Sequence, residues 1–407
     1  MDTFYASEEN MIDTSIDFCG VRLKNPLVAA SAEPTLNANN MKKCIDAGAS
    51  GVIAKTMTDS PAMRELTQKA KWRFLNERHE VCRGKVPRCF SLYSRSGLAL
   101  EQPEDFMAEI RETVRYGKEQ DAVVIGSIGS IEKQGWVDLA RQMEDGGVPL
   151  LELNFGCPHP KLMEGVKTGM NVGQDFDVAC DITQAVAEAV DVPVMIKVTP
   201  QVNDLVEFSG KLLEAGASAV TLTNRFIGFV PDIETGKPLI YGQAGIGGPW
   251  VKPLTLRWIN EVRQAYGNRL AIAGTNGAYD WRDVVQFLMS GAHIVEMCSA
   301  VMCYGYEWLG KQVRGLEEYM EQRGYTSLDQ FLGSASDAAM QYADMPMEKA
   351  RVDPELCSNC GRCLKACFSD AMQQGEGSTW VKEENCVGCG GCHSVCPVHG
   401  AVEIVTC

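Results

Sequence analysis

Two cysteine runs near the C-terminus are the strongest constraint on how this chain folds. Residues 357–367 and 386–396 each follow the spacing C-x2-C-x2-C-x3-C. A run with this spacing binds one iron–sulfur cube through its first three thiolates and a neighbouring cube through its fourth. The two runs therefore predict two [4Fe-4S] clusters and a chain that transfers electrons.

The exchange of the fourth cysteine predicts two ligand sets. One cluster takes Cys357, Cys360, Cys363 and Cys396, and the other takes Cys386, Cys389, Cys392 and Cys367. The alternatives are a zinc site, which needs four ligands without this interleaving, and a disulfide scaffold, which is typical of short secreted chains. Eight cysteines in two matching runs favour the clusters.

The length and the charge of the chain limit its class. With 407 residues it is long enough for two folding units, and its net charge of -15 argues against nucleic-acid or anionic-membrane partners. Residues 1–10 contain three acidic side chains and no apolar core, and no apolar run is long enough to span a bilayer. We therefore expect a soluble, cytoplasmic protein whose other nine cysteines are reduced thiols.

Upstream of the cysteine runs, short apolar segments alternate with amphipathic ones. The predicted strands cover residues 26–30, 51–55, 122–127, 150–154, 193–198, 219–223, 270–273 and 294–297. Helical patterns lie between them, several of them followed by a glycine. Eight strands, each followed by a helix, predict a (β/α)8 TIM barrel, with a doubly wound sheet as the alternative. We place the barrel in residues 1–335, and a linker with a small bacterial-type 2[4Fe-4S] ferredoxin domain in residues 336–407.

Polar residues fall at the ends of these predicted strands, on the rim where barrel enzymes build their sites. They are Lys55, Asn154, Lys197 and Asn224. Two strand-end lysines suit an anionic or electron-rich cofactor, and the alternative is that barrel carboxylates pair with them. The glycine-rich segments 242–248 and 274–277 precede helical patterns and suit a phosphate. The sequence contains no G-x-G-x-x-G unit, so nothing in it indicates a dinucleotide-binding domain.

Residues 152–159 hold the reactive side chains. A predicted strand ends at Asn154, and Cys157 and His159 follow in a rim loop. The thiol there is a candidate nucleophile, metal ligand or proton donor. Beside a flavin a proton donor is favoured, because hydride addition to one alkene carbon leaves a carbanion at the next. The alternative is a half-buried cysteine with a capping histidine.

These segments together resemble a known family. The chain is similar, over almost its whole length, to the PreA-type subunit of bacterial dihydropyrimidine dehydrogenase, and its barrel is also similar to class 1 dihydroorotate dehydrogenases. The segments that carry the resemblance are 31–34, 54–56, 152–159, 173–175, 196–200, 223–224, 252–257, 298–301 and the two cysteine runs.

The resemblance implies a flavin enzyme that reduces a C=C bond, as a dihydropyrimidine dehydrogenase does. FMN would be bound by Ala30, Ser31, Lys55, Asn154, Lys197, Asn224, Gly247, Gly248, Gly277 and Ser299, the last two at its phosphate. Cys157 would protonate the substrate with support from His159, and Asn154, Asn224 and Arg225 would hold the substrate. Electrons would come from a separate FAD- and NAD(P)H-binding subunit or a ferredoxin. The resemblance also implies a homodimeric core.

The chain departs from the family pattern around the substrate. Residues 127–133 are shorter and lack an asparagine, Arg225 stands where the family has threonine, and Gly156 stands where it has serine. Asn276 also replaces a glycine of the phosphate loop. Lost contacts would weaken uracil binding, and a guanidinium would favour an anionic substrate, unless Arg225 turns outward into a surface salt bridge. An electron-transfer subunit without its own substrate is the other alternative.

Overall fold

The computed structural model describes residues 12–158 and 168–407 of the chain. Two compact units are separated between Ala338 and Ala339. Within the described residues, none of the helices combines the length and the apolar character that a membrane span requires.

The first unit is built round eight short parallel strands. They are β1 (Leu27–Ala29), β2 (Gly51–Ile53), β3 (Val123–Ile128), β4 (Leu151–Phe155), β5 (Val194–Val198), β6 (Ala219–Leu222), β7 (Ala271–Gly274) and β8 (Ile294–Met297). Each strand pairs with the next and β8 pairs with β1, which closes the barrel. The predicted TIM barrel is confirmed, and the doubly wound alternative is wrong. Because both faces of such a sheet are covered, its strands are mostly apolar.

Eight helices pack round the barrel and bury one apolar face each. They are α1 (Ala38–Asp46), α2 (Pro103–Glu119), α3 (Lys133–Asp145), α4 (Phe176–Ala187), α5 (Leu205–Glu214), α6 (Lys252–Tyr266), α7 (Trp281–Met289) and α8 (Trp308–Arg323). An aspartate caps the first turn of α4, α5 and α7 by accepting a backbone N–H. This N–H has no hydrogen-bond acceptor within the helix itself.

Two loops at the carboxyl end of the barrel combine into a further sheet. Its antiparallel strands are, in spatial order, Phe226–Gly228, Ala244–Gly247, Ser91–Arg95 and Lys71–Leu75. We call it the loop sheet. It joins the loop after β2 to the loop after β6 through the pairing of Phe226–Gly228 with Ala244–Gly247 and of that strand with Ser91–Arg95. Shorter elements of the first unit include the hairpin Ile16–Phe18 and Val21–Leu23 and the helices Pro61–Gln68, Met170–Gly173 and Ser299–Tyr304.

The second unit consists of two strand pairs and two short helices. Glu348–Val352 pairs with Val402–Thr406, and Met372–Gln374 pairs with Thr379–Val381. The helices are Arg362–Ala366 and Gly391–Val395, and each contains the third cysteine of its run. The fully apolar core is small, so this unit needs its bound clusters for stability.

The stack between α4 and α5 provides a test of the barrel packing. Phe208 is fully buried, and its ring lies 4.3 Å from the ring of Phe176. Changing Phe208 to alanine should reduce the unfolding free energy by about 3–5 kcal/mol, because it removes buried area and leaves a cavity. Phe229→Ala is the control, since that ring is 57% exposed. Denaturant unfolding followed by circular dichroism measures both, and equal midpoints would contradict this packing.

Candidate active site and iron–sulfur unit

A pocket lies at the carboxyl ends of the barrel strands. Its wall takes residues from the ends of seven strands, and about 880 Å³ of space lies between protein atoms, including the open mouth. The predicted site residues that line it are Ala30, Ser31, Lys55, Asn154, Cys157, Lys197, Asn224, Arg225, Gly247, Gly248, Gly277 and Ser299. His159 lies outside the described residues.

Asn154 shapes the loop that carries the thiol. Its side-chain oxygen accepts the backbone N–H of Gly156 at 3.3 Å and of Cys157 at 3.0 Å. Its amide donates to the hydroxyl of Thr56 at 3.0 Å. A Cβ on Gly156 would lie 2.5 Å from the Cβ of Asn224, so this close approach requires glycine. The departure from the family's serine therefore has a packing cause.

Cys157 lies between the pocket and an apolar cover. The residue is 9% exposed and packs against Met63 and Leu98, which come from the loop after β2. Its backbone oxygen accepts the N–H of Met170 at 2.9 Å. The thiol is thus held at the pocket wall, where solvent has little access.

Lys55 reaches the pocket with a carboxylate beside it. Its Nζ lies 3.3 Å from Oε1 of Glu33, and the lysine side chain is 5% exposed. Burial alone would raise the pKa of Glu33, but Lys55 and then Arg225 outweigh it and lower that pKa. Glu33 therefore stays ionised. No local sequence signal marks Glu33 as a partner of Lys55, although it lies inside one of the segments that carry the family resemblance.

Lys197 pairs with two carboxylates that are more buried than Glu33. Its Nζ lies 2.5 Å from Glu296 and 3.5 Å from Glu152, and neither carboxylate is exposed. Burial would lower the pKa of Lys197, but the two carboxylates outweigh it and raise that pKa. Burial raises the pKa of Glu152 to about 8, against the attraction of Lys197. Carboxylates thus pair with both lysines, as the alternative interpretation has it, and both lysines also line the pocket.

Arg225 turns into the pocket rather than outward. Its guanidinium donates to the hydroxyls of Ser94 and Ser96, to Ser96 at 3.1 Å. Its backbone N–H donates to the side-chain oxygen of Asn224 at 2.8 Å. Ser94 and Ser96 belong to the loop sheet and to the residues directly after its strand Ser91–Arg95. The sheet thus orients this cation, which no local sequence signal predicts.

At the far end of the pocket, glycines let neighbouring backbone segments approach one another closely. Gly248 and Gly277 have φ angles of +151° and +136°, and a Cβ on either would lie 2.3 Å and 2.6 Å from neighbouring backbone atoms. Asn276 adopts a φ of 60°, which asparagine tolerates better than most residues. The replacement of the family's glycine by Asn276 therefore keeps a left-handed backbone in the loop.

The pocket meets two tests for FMN. First, among the described residues, Thr223 Oγ1 and Glu296 Oε1 are buried side-chain atoms of the pocket wall without a hydrogen-bond partner. Buried polar atoms are normally satisfied, so a polar ligand is expected there. Second, Lys55 and Lys197 place cations in the wall, which suits a flavin that gains negative charge on reduction. The residues present therefore fit the cofactor.

The second unit gathers the first cysteine run round one threonine. The thiols of Cys357 and Cys363 each lie 3.6 Å from Oγ1 of Thr379. The backbone N–H of Asn359 donates to Cys357 at 3.4 Å. The backbone N–H of Arg362 lowers the pKa of Cys360, which favours the thiolate that binds iron.

The second predicted ligand set has similar supports. The thiol of Cys386 accepts the N–H of Ala350 at 3.3 Å, and that of Cys367 accepts the N–H of Met372 at 3.3 Å. A Cβ on Gly388 would lie 2.3 Å from a backbone oxygen, so this turn needs glycine. Across residues 12–158 and 168–407, no three His, Cys, Asp or Glu side chains form a site for a single metal ion. In a cluster each thiolate binds a different iron.

Two family models match the chain. The dihydroorotate dehydrogenase model covers residues 13–320, and the 4Fe-4S dicluster domain model covers residues 350–404. The NAD-dependent dihydropyrimidine dehydrogenase subunit PreA of Escherichia coli is 30% identical over 96% of this chain and 95% of that protein.

Relatives that match the barrel extend the comparison. The catalytic subunits of dihydroorotate dehydrogenase B (NAD(+)) from Methanothermobacter thermautotrophicus and Thermoplasma acidophilum are 31% and 29% identical. Each match covers 80% of this chain and 99% of that protein. This chain is accordingly an oxidoreductase acting on CH–CH groups, with FMN in its barrel and two [4Fe-4S] clusters in its second unit, and it belongs to the dihydroorotate dehydrogenase family.

Proposed function

We propose that this protein reduces a C=C bond of a small substrate, with Cys157 as the proton donor. The observation that carries the proposal is the position of Cys157 in the wall of the pocket that also contains Lys55 and Lys197. Bound FMN supplies hydride transfer, with electrons from the two clusters. The substrate carbon next to the hydride acceptor then needs a proton, and the Cys157 thiol is placed to give it.

The surrounding residues prepare the thiol for this step. Asn154 holds the loop through two backbone N–H groups, which fixes where the sulfur points. Met63 and Leu98 cover Cys157 and limit water, which would otherwise compete as a proton source. Asn154 and Asn224, which both lie beside Gly156 in the pocket wall, offer amide groups to the polar edge of a substrate. His159 is proposed to support proton transfer.

The substrate is proposed to carry an anionic group, and an uncharged pyrimidine is the second candidate. The guanidinium of Arg225 lines the pocket and is oriented by two hydroxyls of the loop sheet. A guanidinium binds a carboxylate or phosphate through two parallel hydrogen bonds, which a threonine cannot do. Glu33 offsets part of the charge of Arg225, but Glu33 is itself paired with Lys55. The pocket therefore holds a cation for a substrate anion.

The electron donor is proposed to be a separate protein. The curated relatives include a subunit of an NAD-dependent dehydrogenase and a catalytic subunit of another. By analogy, an FAD- and NAD(P)H-binding subunit would reduce the clusters of this chain, or a ferredoxin would do so. We also propose a homodimeric core, which light scattering of the purified chain tests.

Replacing the thiol is the direct test of the reaction. In the Cys157→Ser variant, oxidation of the pre-reduced flavin by an unsaturated substrate should slow on the order of 10²–10⁴-fold, because the hydroxyl is a weaker acid. Stopped-flow absorbance measures this after anaerobic mixing with uracil, thymine or unsaturated carboxylates. Cys180→Ser, on helix α4, is the control. Equal rates for the two variants would remove Cys157 from the proton transfer. If the purified chain binds no flavin at all, the alternative of an electron-transfer subunit is favoured instead.

Arg225 should set the substrate class. We expect Arg225→Thr to weaken binding of an unsaturated carboxylate by about 10–100-fold and to leave uracil unchanged or improved, because only the carboxylate uses the guanidinium. Titration of the oxidised enzyme, followed by the flavin spectrum, gives both affinities. Arg95→Thr is the control, since Arg95 belongs to the same sheet but bonds the backbone oxygen of Gln243. An equal effect on both ligands would contradict an anionic substrate.

The cluster assignment predicts a selective loss of iron. Cys392→Ala should lower the iron content from about eight to about four atoms per chain, because each cluster depends on its own ligands. Cys367→Ala should affect the same cluster, although it lies in the other run. Iron analysis and electron paramagnetic resonance of the reduced protein distinguish the two clusters. Cys407→Ser, outside both runs, is the control. If Cys367→Ala removed the cluster of Cys357 instead, the crossed ligand sets would be wrong.

A further inference from the structure

At the pocket wall and directly behind it, three ionisable side chains share one buried site. Lys197 lies between Glu152 and Glu296, and both carboxylates are fully buried. With both ionised, one ammonium would face two carboxylates and a net negative charge would remain in the barrel interior. An uncompensated buried charge is costly, so a bound proton stabilises this group.

The surroundings of Glu152 make it the carboxyl that holds the proton. Burial is the largest influence on its pKa and raises it, and the charge of Glu296 on β8 acts in the same direction. Lys197 on β5 acts against them. The other polar neighbours are neutral hydroxyls: Thr221 on β6 lies 3.3 Å from Oε2, and Ser127 on β3 lies 3.4 Å from Oε1. At neutral pH the carboxyl is thus able to donate to a hydroxyl.

From Ser127 a chain of hydroxyls leads to the pocket. Ser127 Oγ lies 2.9 Å from Thr56 Oγ1, and Thr56 Oγ1 lies 3.2 Å from Ser31 Oγ. Thr56 and Ser31 line the pocket, whereas Ser127 is fully buried. Asn154 donates to Thr56, so the hydroxyl proton of Thr56 is left for Ser127 or for Ser31. The hydroxyl protons can therefore point either toward Glu152 or toward the pocket.

We propose that Glu152 is a proton reservoir for the pocket and that Ser127, Thr56 and Ser31 conduct its proton. The O–H bond of Glu152 breaks as a new one forms on Ser127, each hydroxyl passes its own proton on, and Ser31 releases one proton into the pocket. No electron moves along this chain. The transfer supplies a proton when electrons from the clusters reach the pocket, and it moves one negative charge to the carboxylate of Glu152, 3.5 Å from Nζ of Lys197.

Infrared difference spectroscopy tests the proposal on the complete protein with its FMN and clusters. Chemical reduction without substrate should remove a protonated-carboxyl band that shifts in D2O and is absent in Glu152→Gln. Ser127→Ala keeps the carboxyl but interrupts the chain, so loss of the band should be on the order of 100-fold slower. Thr221→Val is the matched control, because it removes a hydrogen bond to the same carboxyl outside the chain. It should react at the wild-type rate.

Two results would overturn the relay: an unchanged carboxyl band on reduction of the wild type, or equal rates for Ser127→Ala and Thr221→Val. Equal rates for these two variants would mean that the hydroxyls only satisfy hydrogen bonds in the barrel interior. The proposal concerns the same pocket as the proposed function, but the measurement contains no substrate. Failure of substrate reduction therefore leaves the relay standing, and failure of the relay leaves the role of Cys157 untouched.

Discussion

The arrangement of the site depends on one buried ammonium held between two carboxylates. Lys197, Glu152 and Glu296 come from three strands, and the barrel excludes water from all three. Each charge would be unfavourable there alone, so their mutual attraction stabilises only the arrangement in which the strands are correctly aligned. The same group leaves one oxygen of Glu296 unsatisfied at the pocket wall. The barrel interior thus prepares a polar surface that a bound flavin completes.

Above this group, the chemistry depends on how closely the rim loops approach one another. Gly156 lets the loop of Cys157 contact Asn224, and Gly248 and Gly277 let the backbone close the far end of the pocket. A side chain at any of these positions would push the loops apart. Asn154 then connects the thiol loop to Thr56. One amide therefore links the proposed acid to the hydroxyls that lead to Glu152.

Much of the framework could be predicted from the sequence. The eight strands lie within one or two residues of their predicted positions, since short apolar segments that alternate with amphipathic helices have few other solutions. Strand ends also indicate the rim, so the predicted flavin and substrate residues that the structure describes line one pocket. The partners of these residues could not be predicted, because Glu33 and Glu296 look like ordinary charges in a linear sequence. The loop sheet could not be predicted either, because it joins segments about 150 residues apart.

What the sequence by itself determined is local: the cysteine spacing, the strand and helix periodicity, and the thiol directly after a strand. These signals depend on neighbours a few residues apart, which the chain connectivity holds together. The tertiary structure alone decided that Arg225 turns inward toward Ser94 and Ser96, and that two carboxylates meet Lys197. Charge pairing and burial depend on distances between remote segments, and only the closed barrel and its loops set those distances.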